Sequence, residues 1–234
     1  MAIEIKGYIV PDDDKFIYDY FGISATSPKD VTEAIEKADG QPLDVEISTC
    51  YGGDIFAGSG IYSALRGYKG GVHIHITGLA ASAASVIAMA GPSDMSPTAM
   101  LMVHRVSTMA EGNLHAMDAT SDMLQNADKA IAAAYVAKSG MDEKDALKMM
   151  DKETWITAAQ AVELKLVDKV ADAATPQLVA AYGLPLSHAV IEKTRAMLAE
   201  KKTATGKNPK LEEPKPTVSN QSEKEKILLM IDLI

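Results

Sequence analysis

The chain has almost no cysteine: one among 234 residues. Cys50 alone excludes an internal disulfide and fits a reducing compartment, so the expected location is the cytoplasm. Basic residues are also short, 23 Lys and Arg against 32 Asp and Glu, for a net charge of −9. Phosphate backbones are bound by clustered Lys and Arg, so nucleic acid is not an expected partner. Strongly apolar runs are missing too. Ile76 to Ser93 is uncharged, but Ala, Gly and Ser make up much of it and Gly91-Pro92 lies near its end. A spanning helix needs about 20 strongly apolar residues. The run reads as the most buried part of a core, and no membrane is expected. Met1-Ala2-Ile3-Glu4-Ile5-Lys6 lacks the basic-then-apolar pattern of a signal peptide.

What is present suffices for a sizeable core: 47% of residues are hydrophobic, enough for one large domain, or one domain and a tail. Ile3, Ile5 and Ile9 suggest a first strand, followed by a turn at Pro11-Asp12-Asp13-Asp14 and a β-like or irregular stretch through Phe16, Tyr18 and Tyr20. Ser27-Pro28 opens a helix with Val31, Ala34, Ile35 and Ala38 on its buried face, ended by Asp39-Gly40. Leu43, Val45 and Ile47 alternate as a strand that runs into Gly52-Gly53-Asp54, where a helix begins that stops at Gly67. Val72 to Thr77 is the next strand, Ala83 to Ala90 a buried helix, and Ala99 to His104 a further strand. Strands alternating with helices predict an α/β fold with crossover helices around a parallel sheet.

Leu114 to Lys138 reads as one long helix in which Met117, Leu124 and Ile131 repeat every seven residues. Two readings stay open: a helix packed on its own domain, and a projecting helix that pairs with a partner subunit. Asp142 caps a short helix to Met150. Thr157-Ala158-Ala159-Gln160 is a capping box opening another, and Leu166 to Val170 returns as a strand. Residues 1–171 are the expected folded domain and 172–200 a helical extension. Residues 201–226, rich in Lys, Glu, Pro, Thr, Ser and Asn, read as a flexible linker, and 227–234 as an apolar tail.

Ser82 falls where a strand turns into a helix. There a hydroxyl is held at the edge of a packed element, and free N–H groups of the helix start can face a developing oxyanion. Serine at a helix start is also an ordinary N-cap. A nucleophilic serine needs a base, an acid that orients the base and an oxyanion hole. His104 ends the strand after the Ser82 helix, and neighbouring strands of a parallel sheet deliver their ends to one edge. A solvated or structural histidine is the alternative; His73, His75, His115 and His188 have no comparable setting. Gly52-Gly53 permits an unusual backbone and close approach to a substrate, so an N–H from this turn and that of Ala83 suit an oxyanion hole. An ordinary strand-to-helix turn would use the same glycines. Cys50 has no histidine with a clear claim on it.

Four stretches in order resemble the Clp proteolytic subunit family of serine peptidases, most closely its phage and prophage branch: Gly52-Gly53-Asp54-Ile55-Phe56-Ala57-Gly58 with Ile61-Tyr62; Gly78-Leu79-Ala80-Ala81-Ser82; Met102-Val103-His104; and Glu153-Thr154-Trp155-Ile156-Thr157-Ala158-Ala159-Gln160 through Leu166-Val167-Asp168. The likeness runs from about Ile3 to Ala171. It implies the Clp-protease and crotonase style of α/β fold, repeated β-β-α units with a projecting handle helix through which rings stack. It implies Ser82 as nucleophile and His104 as base. The acid precedes Trp155, which makes it Glu153, where better-known members carry Asp, with Asp151 the nearby alternative. Gly53 and Ala83, or Gly52 in place of Gly53, become the oxyanion donors. Asp168 matches a structural strand-start Asp, and Lys165 stands where the family usually has Gly. No metal or other cofactor is implied. The chain begins almost at its first strand, without the extension that forms axial loops, which leaves an unfoldase ATPase partner open.

The expected activity is peptide-bond hydrolysis. The phage-like branch suggests processing of capsid or scaffold proteins during head assembly in a bacterial cytoplasm, by a self-associating ring. The alternatives are a general Clp-type peptidase, a Ser-Lys peptidase that ignores His104, a crotonase-like acyl-CoA enzyme that does not require Ser82, and a non-catalytic assembly protein.

Overall fold

The computed structural model describes residues 2–171. Residues 2–15 and 24–171 lie in one compact unit, and 16–23 fall in a second. The helical extension, linker and tail expected beyond Ala171 lie outside the described residues.

The elements are β1 (Ala2–Ile9), α1 (Asp12–Phe21), β2 (Ala25–Thr26), α2 (Pro28–Ala38), β3 (Leu43–Gly53), α3 (Ile55–Gly67), β4 (Val72–Ala81), α4 (Ala83–Ile87), β5 (Ser93–Met95), β6 (Met100–Val103), α5 (Leu114–Ser139), α6 (Glu143–Asp151), β7 (Thr154–Thr157), α7 (Ala158–Glu163) and β8 (Lys169–Val170). One eight-stranded sheet runs β2-β1-β3-β4-β5-β8, and β6 pairs with both β4 and β7. Every pairing is parallel except β6–β7. This is the expected α/β architecture.

Period-2 alternation decides which face is covered. Leu43, Val45 and Ile47 of β3 and Ile74 and Ile76 of β4 are buried in one core with Ile61 and Leu65 of α3. Each such side chain contributes roughly 1.5–3 kcal/mol by leaving water. The intervening residues form a polar face. There Ser48 Oγ donates to Glu4 Oε1 at 2.8 Å, and Thr77 Oγ1 to Glu46 Oε1 at 2.9 Å. No helix among the described residues is long and apolar enough to cross a membrane.

The helix ends follow local chemistry. Pro28 takes the first position of α2, Asp30 accepts from the Ser27 N–H at 2.8 Å, and Asp39 closes the helix in the left-handed region. Asp54 caps α3 through the Ala57 N–H at 2.7 Å. Asn113 caps α5, which Gly140 ends at φ 76°.

Several expectations need correction. Pro11 to Asp14 is not an isolated turn, nor is the stretch after it β-like: α1 starts at Asp12. Three aspartates occupy its first turn, where the helix dipole favours negative charge, and Asp12 also accepts the Lys29 N–H at 2.8 Å. The spacing of Phe16, Tyr18 and Tyr20 imitated a strand. The buried helix after Ser82 is α for only Ala83–Ile87 and tightens to a 3-10 turn over Ala88–Ala90. The final strand is confined to Lys169–Val170. The short strands β2, β5 and β7, two to four residues long, are too brief for alternation to mark them in the sequence.

Candidate active site

Sheet register builds the site. β4 and β6 pair in parallel through Leu79–Met100, Ala80–Leu101 and Ala81–Met102. The Ser82 N–H extends this ladder by donating to the Met102 carbonyl at 2.9 Å. Ser82 and His104 therefore leave adjacent strands at one edge, and His104 Nε2 lies 2.7 Å from Ser82 Oγ. This is hydrogen-bond distance.

Ser82 stands at φ 54° and ψ −123°, a conformation L-residues rarely hold and one that costs about 1–3 kcal/mol. Two further groups hold the turn. Ser85 Oγ donates to the Ser82 carbonyl at 2.6 Å and lies 2.8 Å from the Tyr135 hydroxyl of α5. Tyr135 is 1% exposed, and its burial pushes the phenol above its ordinary pKa. A neutral Tyr–Ser pair thus braces the backbone beneath the serine.

Gly52 and Gly53 end β3 beside this turn. Gly52 has φ 81°, and a Cβ there would come within 2.6 Å of both the Ala81 carbonyl and the Ser82 Cβ, and 2.8 Å of the Ala83 nitrogen. Gly53 has φ 143°, and a Cβ would meet the Ile9 carbonyl at 2.3 Å. No larger residue fits either position without moving backbone. A pocket over the pair is lined by Gly53, Ile55, Ser82, Ala83, His104 and Tyr135, among others.

The acid candidates are placed differently. β6 and β7 run antiparallel, with Val103 opposite Thr154 and Met102 opposite Trp155. Carried one residue further, this register sets Glu153 opposite His104. Glu153 is exposed, at φ 49°. Its carboxylate takes no hydrogen bond from His104 among the described residues. Asp151 is engaged elsewhere. It accepts from Arg105 Nε at 2.7 Å, and that hydrogen bond to the guanidinium holds its carboxyl below the usual range. Structure thus brings Ser82, His104, Gly53 and Ala83 around one pocket, sets Gly52 against the serine turn, and leaves both acids outside hydrogen-bond contact with the imidazole.

One carboxylate escaped the sequence reading. Asp128 of α5 is buried, and it accepts the Val106 N–H at 2.8 Å and Arg105 Nη1 at 3.0 Å. It fixes the chain just after His104. A signal existed: Asp128 falls between Leu124 and Ile131 at helical spacing, a charge on an otherwise apolar stripe. Cys50 is fully buried, and desolvation pushes its thiol up to about 12, so it is not a thiolate at neutral pH.

Comparison with known proteins agrees in extent with these motifs. The Clp protease family pattern matches residues 34–174, more than half of the chain. Among similar proteins, the ATP-dependent Clp protease proteolytic subunit of Bacteroides fragilis is 30% identical over 122 residues, which cover 51% of this chain and 59% of the relative. Proteolytic subunit 2 of Treponema denticola is 29% identical over 123 residues, 51% and 62% of the two chains. The Deinococcus radiodurans subunit is 23% identical over 165 residues, 68% and 81%. The chain spans less than two thirds of the first two relatives. Those relatives, the family pattern over 34–174 and the parallel α/β sheet agree with one another, and the chain belongs to the Clp protease family.

Proposed function

We propose that the protein is a serine endopeptidase acting through Ser82, His104 and Glu153. The observation that carries this reading is the 2.7 Å approach of His104 Nε2 to Ser82 Oγ at the end of two neighbouring parallel strands. In the reaction, Nε2 takes the hydroxyl proton as Oγ attacks the scissile carbonyl. The carbonyl oxygen gains charge and is met by N–H groups of Ala83 and of the Gly52-Gly53 turn. The C–N bond breaks as the imidazolium returns the proton to the leaving amine, and water then cleaves the acyl-serine ester by the same route. Glu153, opposite His104 in register, orients the ring once its side chain swings inward on substrate binding. Catalytic hydrogen bonds in substrate-free enzymes are commonly long or misaligned.

The natural setting we favour is processing of capsid or scaffold polypeptides in a bacterial cytoplasm by a ring of subunits. It rests on the likeness to the phage and prophage branch. A general peptidase working with an ATPase is the second reading, supported by relatives named ATP-dependent subunits. A Ser-Lys mechanism gains no support, since no lysine lines the pocket among the described residues.

A fluorophosphonate probe followed by peptide mapping tests the assignment. Ser82 is expected to carry the label. Ser82→Ala and His104→Ala should each abolish casein cleavage, and Glu153→Gln should lower kcat by roughly 10²-fold or more, with Asp151→Asn much milder. Labelling at another residue, or full cleavage by His104→Ala, would overturn it.

A further inference from the structure

The polar face of the sheet gathers two imidazoles and a carboxylate well away from Ser82. His73 and His75 are two residues apart on β4, so both project to the same face, with ring centroids 4.6 Å apart. Asp94 of β5 pairs in register with His75. Its Oδ2 lies 2.8 Å from His73 Nε2, and both its oxygens lie 3.1 Å from His75 Nδ1. The outer nitrogen of His75, Nε2, is 3.5 Å from Asp44 Oδ1 on β3. His75 precedes Ser82 by seven residues, roughly 23 Å along a strand.

Three observations point beyond a merely satisfied hydrogen-bond cluster. The donor atoms converge, with one nitrogen from each ring and a carboxylate oxygen all within 4.8 Å of one another. Neighbouring ligands of a tetrahedral zinc lie about 3.4 Å apart, given metal–nitrogen and metal–oxygen bonds near 2.0–2.2 Å. The two nitrogen–oxygen separations, 2.8 and 3.1 Å, are close to that before any side chain moves. Second, Asp44 Oδ1 lies 3.5 Å from the outer His75 Nε2, placed to receive that nitrogen's proton in a hydrogen bond once a metal displaces the one Nδ1 shares with Asp94. Third, the anchor is fixed while the arms are reachable. Asp94 is buried, whereas the His73 and His75 side chains are each 37% exposed.

We propose that His73 Nε2, His75 Nδ1 and the Asp94 carboxylate form a binding site for a divalent transition metal of the zinc class, with Asp44 orienting His75 and the remaining position open to water. Two imidazoles with one carboxylate select Zn(II), Co(II), Ni(II) or Cu(II) over Mg(II) and Ca(II), which take oxygen ligands. The ion would tie β4 to β5. Binding only to the folded chain, it would raise thermal stability.

The test is titration of the chelator-treated full chain with zinc chloride by calorimetry, and with cobalt chloride by visible absorption. One equivalent should bind, with the intense visible band of four-coordinate cobalt. His73→Ala and His75→Ala should each weaken binding at least about 100-fold, and Asp44→Asn about 10-fold. His104→Ala should bind as wild type, which separates this site from the pocket at Ser82. Zinc should raise the Tm of wild type but not of His73→Ala. A measurement on wild type alone covers the case in which a variant fails to fold: zinc should protect His73 and His75, and not His115, from diethyl pyrocarbonate, read by peptide mass spectrometry. If zinc leaves both imidazoles equally reactive, or if the folded His73→Ala, His75→Ala double variant binds as tightly as wild type, the cluster is a hydrogen-bonded array and no metal site.

Discussion

Ser82, the candidate nucleophile, is the residue where stability and the proposed chemistry are opposed. Its backbone lies at φ 54°, ψ −123°, where glycine alone is comfortable. Alanine there keeps the strain, and glycine removes it. Ser82→Gly should therefore unfold at a higher temperature than Ser82→Ala, by about 1 kcal/mol of stability after the added freedom of the unfolded chain is subtracted. Calorimetric melts of the two variants side by side would check this; equal stability would show that the turn is not under load. At this scale the sequence was readable for a simple reason. A serine after one strand and a histidine after another are placed by strand ends, and strand ends are marked by period-2 alternation. Ser85 and Tyr135 were not readable. A small serine in an alanine-rich helix and a tyrosine on an apolar stripe look like core filling, and only the 2.8 Å contact between them reveals a brace.

Among the elements, long periodic ones were legible and short ones were not. α2, α3 and α5 carry caps and stops within a residue or two of where they occur. β5 and β7, three and four residues long, are too brief for alternation to register and are defined by their neighbours' ladders. Asp168 secures this weaker edge. It accepts from the Ser93 N–H at 2.7 Å and from Lys138 Nζ at 2.7 Å, and Lys138 also donates to the Gly91 carbonyl at 2.9 Å. Partial burial pushes the Asp168 carboxyl up, but Lys138 and the Ser93 N–H outweigh it, so its folded pKa is depressed. A depressed carboxylate stabilises the fold above the unfolded-state value near 4 and loses that contribution as pH falls through the folded one. Asp168→Asn should thus lower Tm at pH 7 and converge with wild type in more acid solution. A Tm difference that stays constant across that range would mean the ion pair contributes nothing.

For the molecule as a whole, the open question of the sequence concerned α5. Its second half is packed, through Ile131, Ala132, Ala134 and Tyr135. Its first half is largely exposed, with Leu114 at 70% and Met123 at 43%, and Met109 before it at 85%. Of the heptad Met117, Leu124 and Ile131, only Ile131 is buried. The reading of a helix packed on its own domain therefore holds for the second half, and the first half is the part left exposed to meet a partner subunit. An exposed apolar row of this kind suits another copy of the chain. Met123→Glu should reduce the native mass seen by mass spectrometry or light scattering while leaving the monomer's Tm within about 0.5 kcal/mol of stability, as surface changes do; an unchanged mass would place the contact elsewhere. β7 adds an asymmetry. Candidate nucleophile and candidate base depart from their strands, while the candidate acid arrives at the start of a strand running the opposite way, after the whole excursion through α5 and α6. A single nick anywhere in that excursion would sever the carboxylate's covalent tie to the hydroxyl and imidazole, leaving noncovalent contacts such as the four-residue β6–β7 ladder, the β5–β8 pairing and the Asp168–Ser93 hydrogen bond to keep the halves in step.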